Sequence, residues 1–170
     1  MAFVAGVLVL GFAGPALADA GPQRFVLTFS GPLARALAND PGRRVIASGV
    51  ITGVGEEEFL SQGPGPSPGT FVGASNFVFP EGTVGVEVEG TVAEQHFGPG
   101  GCFLRNTISG SFTITGGTGA FAGATGGGTF TGVNLVFGSV SDGGCSADDA
   151  RLVSSVRLTG TIDVPDQAAA

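Results

Sequence analysis

ISGSFTITGGTGAFAGATGGGTFTG, residues 108–132, carries the fold of this chain. Ahead of the glycines, Ile108, Phe112 and Ile114 alternate with Ser109, Ser111 and Thr113. Beyond them, Phe130 restarts an apolar pattern in Thr129–Phe137. Such alternation is the period of a strand with one buried face. The glycine-rich segment, Gly116–Gly128, therefore joins two strands. Its Gly117-x-Gly119-x-x-x-Gly123 spacing has the outline of a nucleotide loop, but that chemistry needs a following helix, and Ala124-Thr125-Gly126-Gly127-Gly128 breaks one at once. A Walker loop needs a Lys, and the chain has none. A linker separates domains, whereas strands flank this segment directly. The remaining reading is a tight connection. Its glycines supply positive φ and close backbone approach, Thr118–Ala122 makes one helical turn, and Phe121 plugs an end of the core.

The same period runs along the rest of the chain. Gln23–Ser30 places Phe25, Leu27 and Phe29 on one face, and Val45–Val54 places Ile46, Val50 and Val54 together. Thr70–Phe79 aligns Phe71, Phe77 and Phe79, and Gly82–Ala93 aligns Val84, Val86, Val88 and Val92 against Glu87 and Glu89. Phe103–Thr115 sets Leu104 with Ile108, Phe112 and Ile114, opposite Arg105. In Thr129–Phe137 the apolar parity changes from Phe130 to Val133, Leu135 and Phe137, which predicts a bulge near Gly132. Ala150–Val164 aligns Leu152, Val156, Leu158, Ile162 and Val164 opposite Arg151, Ser155 and Arg157. Glu56–Ser61 is a weaker strand candidate, and Ser30–Asn39 reads as a short helix or a loop. Turn residues stand between the strands at Asp40–Gly42, Gly63–Gly69, Pro80–Gly82, Gly98–Gly101 and Asp142–Gly144. The fold class is all-β: an antiparallel, about eight-stranded closed barrel, with a β-sandwich as the alternative.

Phe3–Leu17 is apolar, too short for a membrane span of about 20 residues, and ends in the A-x-A pattern Ala16-Leu17-Ala18. Residues 1–18 read as a signal peptide, although Met1–Val7 has no basic residue. Residues 19–170 then form a single barrel domain with short flexible termini, from Val164 onward a frayed tail, in a secreted, extracellular bacterial protein. Acidic residues number 14 against 7 basic ones, so the chain lacks the clustered cations that nucleic acid requires. The absence of Trp and Tyr argues against an outer-membrane barrel with aromatic girdles. Cys102 and Cys145 are the only cysteines, and an even count in an exported chain points to a disulfide. It would contribute about 3–4 kcal/mol in the chain-entropy account.

The segment Ile108–Gly132 also resembles the strand–GGTGxFxxAxG–strand segment of the allene oxide cyclase and dirigent-like barrel families. It is similar in particular to small exported bacterial proteins of that kind with no assigned activity. The matching residues are Gly116, Gly117, Thr118, Gly119, Phe121, Ala124 and Gly126. The resemblance implies an eight-stranded antiparallel barrel with an apolar cavity. Plant members act on hydrophobic small molecules, but their functional polar and tyrosine residues have no matching positions here.

Residues that carry chemistry elsewhere are sparse. His96, the single histidine, stands beside Glu94 without a nucleophile, and reads as a loop residue. Glu56-Glu57-Glu58 and the aspartates 142, 148 and 149 lack the spacing of a cation loop and read as solvated turns. Glu87, Glu89, Arg105 and Arg157 face water and pair across strands. Thr113, Thr115, Thr129 and Thr131 are too few for a threonine ladder. No catalytic residue, cofactor or metal site is assigned. The leading expectation is a non-catalytic secreted barrel holding a small hydrophobic molecule. Its rivals are a cyclase or isomerase, which needs a polar group in an apolar cavity, and a surface protein acting through its exterior.

Overall fold

The strands pair in chain order, and the last closes on the first. The computed structural model describes residues 19–37, 42–97, 102–141 and 144–165. The expected signal peptide, residues 1–18, lies outside them, as do Asp40, Pro41, residues 98–101, Asp142, Gly143 and residues 166–170 of the tail. The elements are β1 (Asp19–Pro32), α1 (Leu33–Leu37), β2 (Arg44–Gly49), β3 (Gly53–Pro64), β4 (Thr70–Phe79), β5 (Gly82–Phe97), β6 (Phe103–Gly117), β7 (Thr125–Ser141) and β8 (Gly144–Val164). All neighbours are antiparallel, and β1 pairs with both β2 and β8, so eight strands close a barrel. Every strand is paired on both sides, although the short β2 covers only Gln23–Thr28 of β1 and Gly53–Glu56 of β3.

Two strand readings need correction. Val45–Val54 is not one strand, because the chain turns between β2 and β3, with Gly49 at φ 128° and Gly53 at φ 139°. The inward residues are Val45, Ala47 and Ile51, whereas Ile46 and Val54 are exposed. The turn is held by Gln23, which is buried on β1. Its Oε1 accepts from Ile51 N at 2.8 Å and its Nε2 donates to Ile51 O at 3.0 Å. One amide side chain thereby satisfies both backbone groups of a buried residue.

The second correction concerns Gly132. The β6–β7 register runs unbroken from Phe103↔Phe137 to Ile114↔Gly126, so there is no bulge there. The inward series on β7 is Phe130, Gly132, Asn134 and Val136, and Phe137 is exposed against Phe103 at 5.3 Å. Gly132 replaces a side chain where Ile108 and Val156 already fill the space. Register shifts occur instead at Phe59/Ser61, Gly85/Val86, Val92/Glu94 and Phe137/Ser139.

The weak candidate Glu56–Ser61 belongs to β3, and the short helix forms at Leu33–Leu37. Between β6 and β7, Gly119–Phe121 makes a single 3₁₀ turn. Ala120 N donates to Glu81 O at 2.9 Å and Thr118 N to Thr83 O at 3.0 Å, tying the turn to the β4–β5 connection. Gly119 has φ 58°, and a Cβ there would collide with the Glu81 carbonyl. Phe121 is buried edge-on against Phe79 at 5.9 Å. It belongs to one buried cluster with Phe25, Val45, Ile51, Phe77, Val84, Ile114, Ala124 and Ile162. This end of the barrel is solid. Each large apolar side chain buried in it contributes about 1.5–3 kcal/mol.

Candidate functional site

The opposite end of the barrel is hollow. A cavity of about 320 Å³ lies above the packed core, between the upper halves of the strands. Its lower side is formed by Leu27, Phe77, Val86 and Leu158 of the core cluster, and one register row crosses its wall, in which Phe71 is opposite Gly90, Gly90 opposite Gly110, and Gly110 opposite Phe130. The two phenylalanines meet at 6.1 Å across the glycine pair. A Cβ on Gly90 would come within 2.5 Å of the Phe130 ring, so only glycine admits this layer. The wall is mainly apolar, with Val88, Ile108, Val136, Leu152 and Val156, and Leu33 of α1 at the rim. Cavities that take drug-sized ligands measure about 300–1,000 Å³, so this one fits a compact molecule.

Exposed Ser61 and Gln62 also line the cavity, and two hydrogen-bonded polar groups interrupt the apolar wall. On β3, Glu57 is buried, with its side chain 5% exposed, and its Oε2 pairs with Arg43 Nη1 at 3.2 Å. Ser75 Oγ on β4 donates to Glu57 Oε1 at 2.8 Å. Both carboxylate oxygens are therefore engaged, as a carboxylate removed from water requires. Arg43 Nε is buried without an acceptor. On β6–β8, Ser154 Oγ donates to Asn134 Oδ1 at 2.7 Å and Asn134 Nδ2 donates to Asn106 Oδ1 at 2.9 Å. In a ring of eight strands β3 lies opposite β7, so the two groups face each other across the cavity.

The sequence reading missed this site. Glu56-Glu57-Glu58 is not a solvated turn: it lies on β3, where Glu56 and Glu58 are exposed and Glu57 points inward. The signal was the strand period itself. Asn106 shares parity with Ile108, Asn134 with Phe130, and Ser154 with Val156, so all occupy the apolar face.

The residues singled out from sequence lie away from the cavity. Gly116, Gly117, Thr118, Gly119, Phe121, Ala124 and Gly126 form the connection at the packed end. His96 and Glu94 stand on β5 opposite Arg105 and Thr107, and both side chains lie outside the described residues, as does that of Asp148. Asp149 is exposed. Glu87 and Glu89 are exposed, but they stand opposite Thr113 and Ser111, and Arg157 opposite Thr131. Among the described residues Glu87, Glu89 and Arg157 form no cross-strand charge pair, because register sets hydroxyls opposite them. Thr113, Thr115, Thr129 and Thr131 are exposed, and Gly127 opposite Thr113 interrupts the row.

Cys102 and Cys145 form a disulfide, with Cα atoms 5.1 Å apart. It ties the start of β6 to the start of β8 at the hollow end. The bond is compatible with an extracellular location, and among the described residues no helix is long and apolar enough to cross a membrane. No three His, Cys, Asp or Glu side chains converge among the described residues. Comparison of the chain with protein families, curated proteins and solved structures gives no match.

Proposed function

We propose that this chain is a secreted binding protein whose barrel holds one compact hydrophobic molecule. The observation that carries the reading is the division of the interior. The end at Phe79 and Phe121 is filled, and the other end encloses about 320 Å³ of mainly apolar space. A chain that needed its barrel only for stability gains from filling that space, since each void forfeits packing contacts. Export is supported by the A-x-A pattern at Ala16–Ala18 and by the disulfide. Inward apolar and outward charged faces support a barrel in water rather than in lipid. The resemblance to allene oxide cyclase and dirigent-like barrels agrees with a hydrophobic ligand.

Thermal unfolding in the presence of compact bicyclic hydrophobes tests the reading. A ligand at a hundred times its dissociation constant adds about 2.7 kcal/mol and raises the melting temperature. Val156→Phe, which fills the cavity, should abolish that rise. A melting temperature unmoved by every such compound contradicts the reading.

Glu57 gives some weight to an isomerase or cyclase, since it is a carboxylate in an apolar cavity. Its two oxygens are occupied by Ser75 and Arg43, which favours a structural and binding role over proton transfer. Turnover by the wild type that Glu57→Gln abolishes while ligand binding persists would reverse that preference.

A further inference from the structure

The hydrogen-bond direction within the cavity selects the chemistry of its occupant, an inference that rests on the binding role proposed above. On the β6–β8 wall the donors all point the same way. Ser154 Oγ gives its proton to Asn134 Oδ1, and Asn134 Nδ2 gives one to Asn106 Oδ1. The chain of bonds ends at Asn106 Nδ2, whose two N–H groups meet no acceptor among the described residues. On the facing wall Glu57 has no unoccupied oxygen, because Ser75 and Arg43 hold one each. Arg43 carries five N–H donors and commits only Nη1 to Glu57. Its positive charge is balanced by the carboxylate it contacts.

Apart from the exposed Ser61 and Gln62, the cavity therefore offers donors, holds no net charge and is otherwise apolar. An ammonium ligand would find acceptors only on the exposed Ser61 and Gln62 or on oxygens already engaged by Ser75 and Arg43, and would lie near a guanidinium. A carboxylate ligand would compete with Glu57 for Arg43, leaving two like charges in a poorly hydrated space. A hydrocarbon would fit but leave Asn106 unsatisfied. We infer that the cavity takes a neutral, compact hydrophobe bearing a carbonyl or ether oxygen, and that Asn106 Nδ2 donates to that oxygen.

A matched series on one bicyclic skeleton separates these cases. The probes are β-tetralone, tetralin, β-aminotetralin and the tetralin-β-carboxylate, titrated calorimetrically into the disulfide-intact protein. One hydrogen bond is worth about 0.5–1.5 kcal/mol, so the ketone should bind about 2- to 12-fold more tightly than the hydrocarbon. The amine and the carboxylate should bind more weakly than either. Asn106→Leu should bring the ketone down to the hydrocarbon while leaving hydrocarbon binding in place. Asn106→Asp, nearly the same shape, replaces the donor by an acceptor and should move the preference from ketone to amine. Equal binding of ketone and hydrocarbon, or tightest binding of the amine or carboxylate by the wild type, overturns the inference while leaving the binding role standing. Binding of none of the four overturns both.

Discussion

Replacing Phe121 by alanine removes the stopper of the packed end. The ring is 9% exposed and meets Phe79 edge-on at 5.9 Å with the planes 83° apart. Truncating a buried Phe costs about 3–5 kcal/mol, and the aromatic pair supplies about 0.5–1.5 kcal/mol of that. The position is at a barrel end and slightly exposed, so a value near the low end, about 3 kcal/mol, is expected. Against a typical total of about 5–15 kcal/mol this is a large share. At about 2–4 °C per kcal/mol for a chain of this size, the melting temperature should fall by roughly 6–12 °C. Equilibrium urea unfolding measures it directly, as a lower midpoint with an unchanged slope. Neither Phe121 nor Phe79 lines the cavity, so affinity for β-tetralone should not change. A loss below about 1 kcal/mol would show that Phe121 does not seal the core. A large change in affinity would show that the two halves of the interior are not independent.

Further outcomes follow from individual contacts. Gln23→Leu strands the N–H and C=O of Ile51 in the core, at about 1–3 kcal/mol for each group, and should lower the urea midpoint more than any exposed substitution on β1. Gly90→Ala drives a methyl group against the Phe130 ring and should cost about 1–3 kcal/mol while also weakening ligand binding, read by unfolding and calorimetry together. Serine in place of both Cys102 and Cys145 should remove about 3–4 kcal/mol, and reducing agent should do the same to the wild type and nothing to the double variant. Glu57→Leu leaves Arg43 without its counter-charge and should destabilise more than Glu57→Gln, which still accepts a hydrogen bond.

The barrel was legible where apolar residues repeat at every second position. Phe77 and Phe79, Val84 and Val86, and Phe112 and Ile114 are all buried as that period requires. The glycine connection was legible because no helix could follow it. The period misled at Val45–Val54, where Gly49 and Gly53 admit a turn that resets the parity and turns Ile46 and Val54 outward. It misled again at Gly132, where outward Val133, Leu135 and Phe137 imitate a buried face. The cavity site was hidden for a different reason. Glu57 looks like one carboxylate in a solvated run, and Asn106, Asn134 and Ser154 look like surface amides and hydroxyls. Only the register that places β3 opposite β7 brings them to one space. Pairing across a closed ring is set by tertiary closure, which local spacing does not encode.

The most direct test is a methyl chemical-shift titration of the folded protein with β-tetralone. Shifts are predicted at Val88, Ile108, Val136 and Val156, with Ile51, Val84 and Ile162 of the packed end unmoved. Shifts confined to the outward methyls of Ile46 and Val54, or none at all, would contradict a barrel that is filled at one end and open to a ligand at the other.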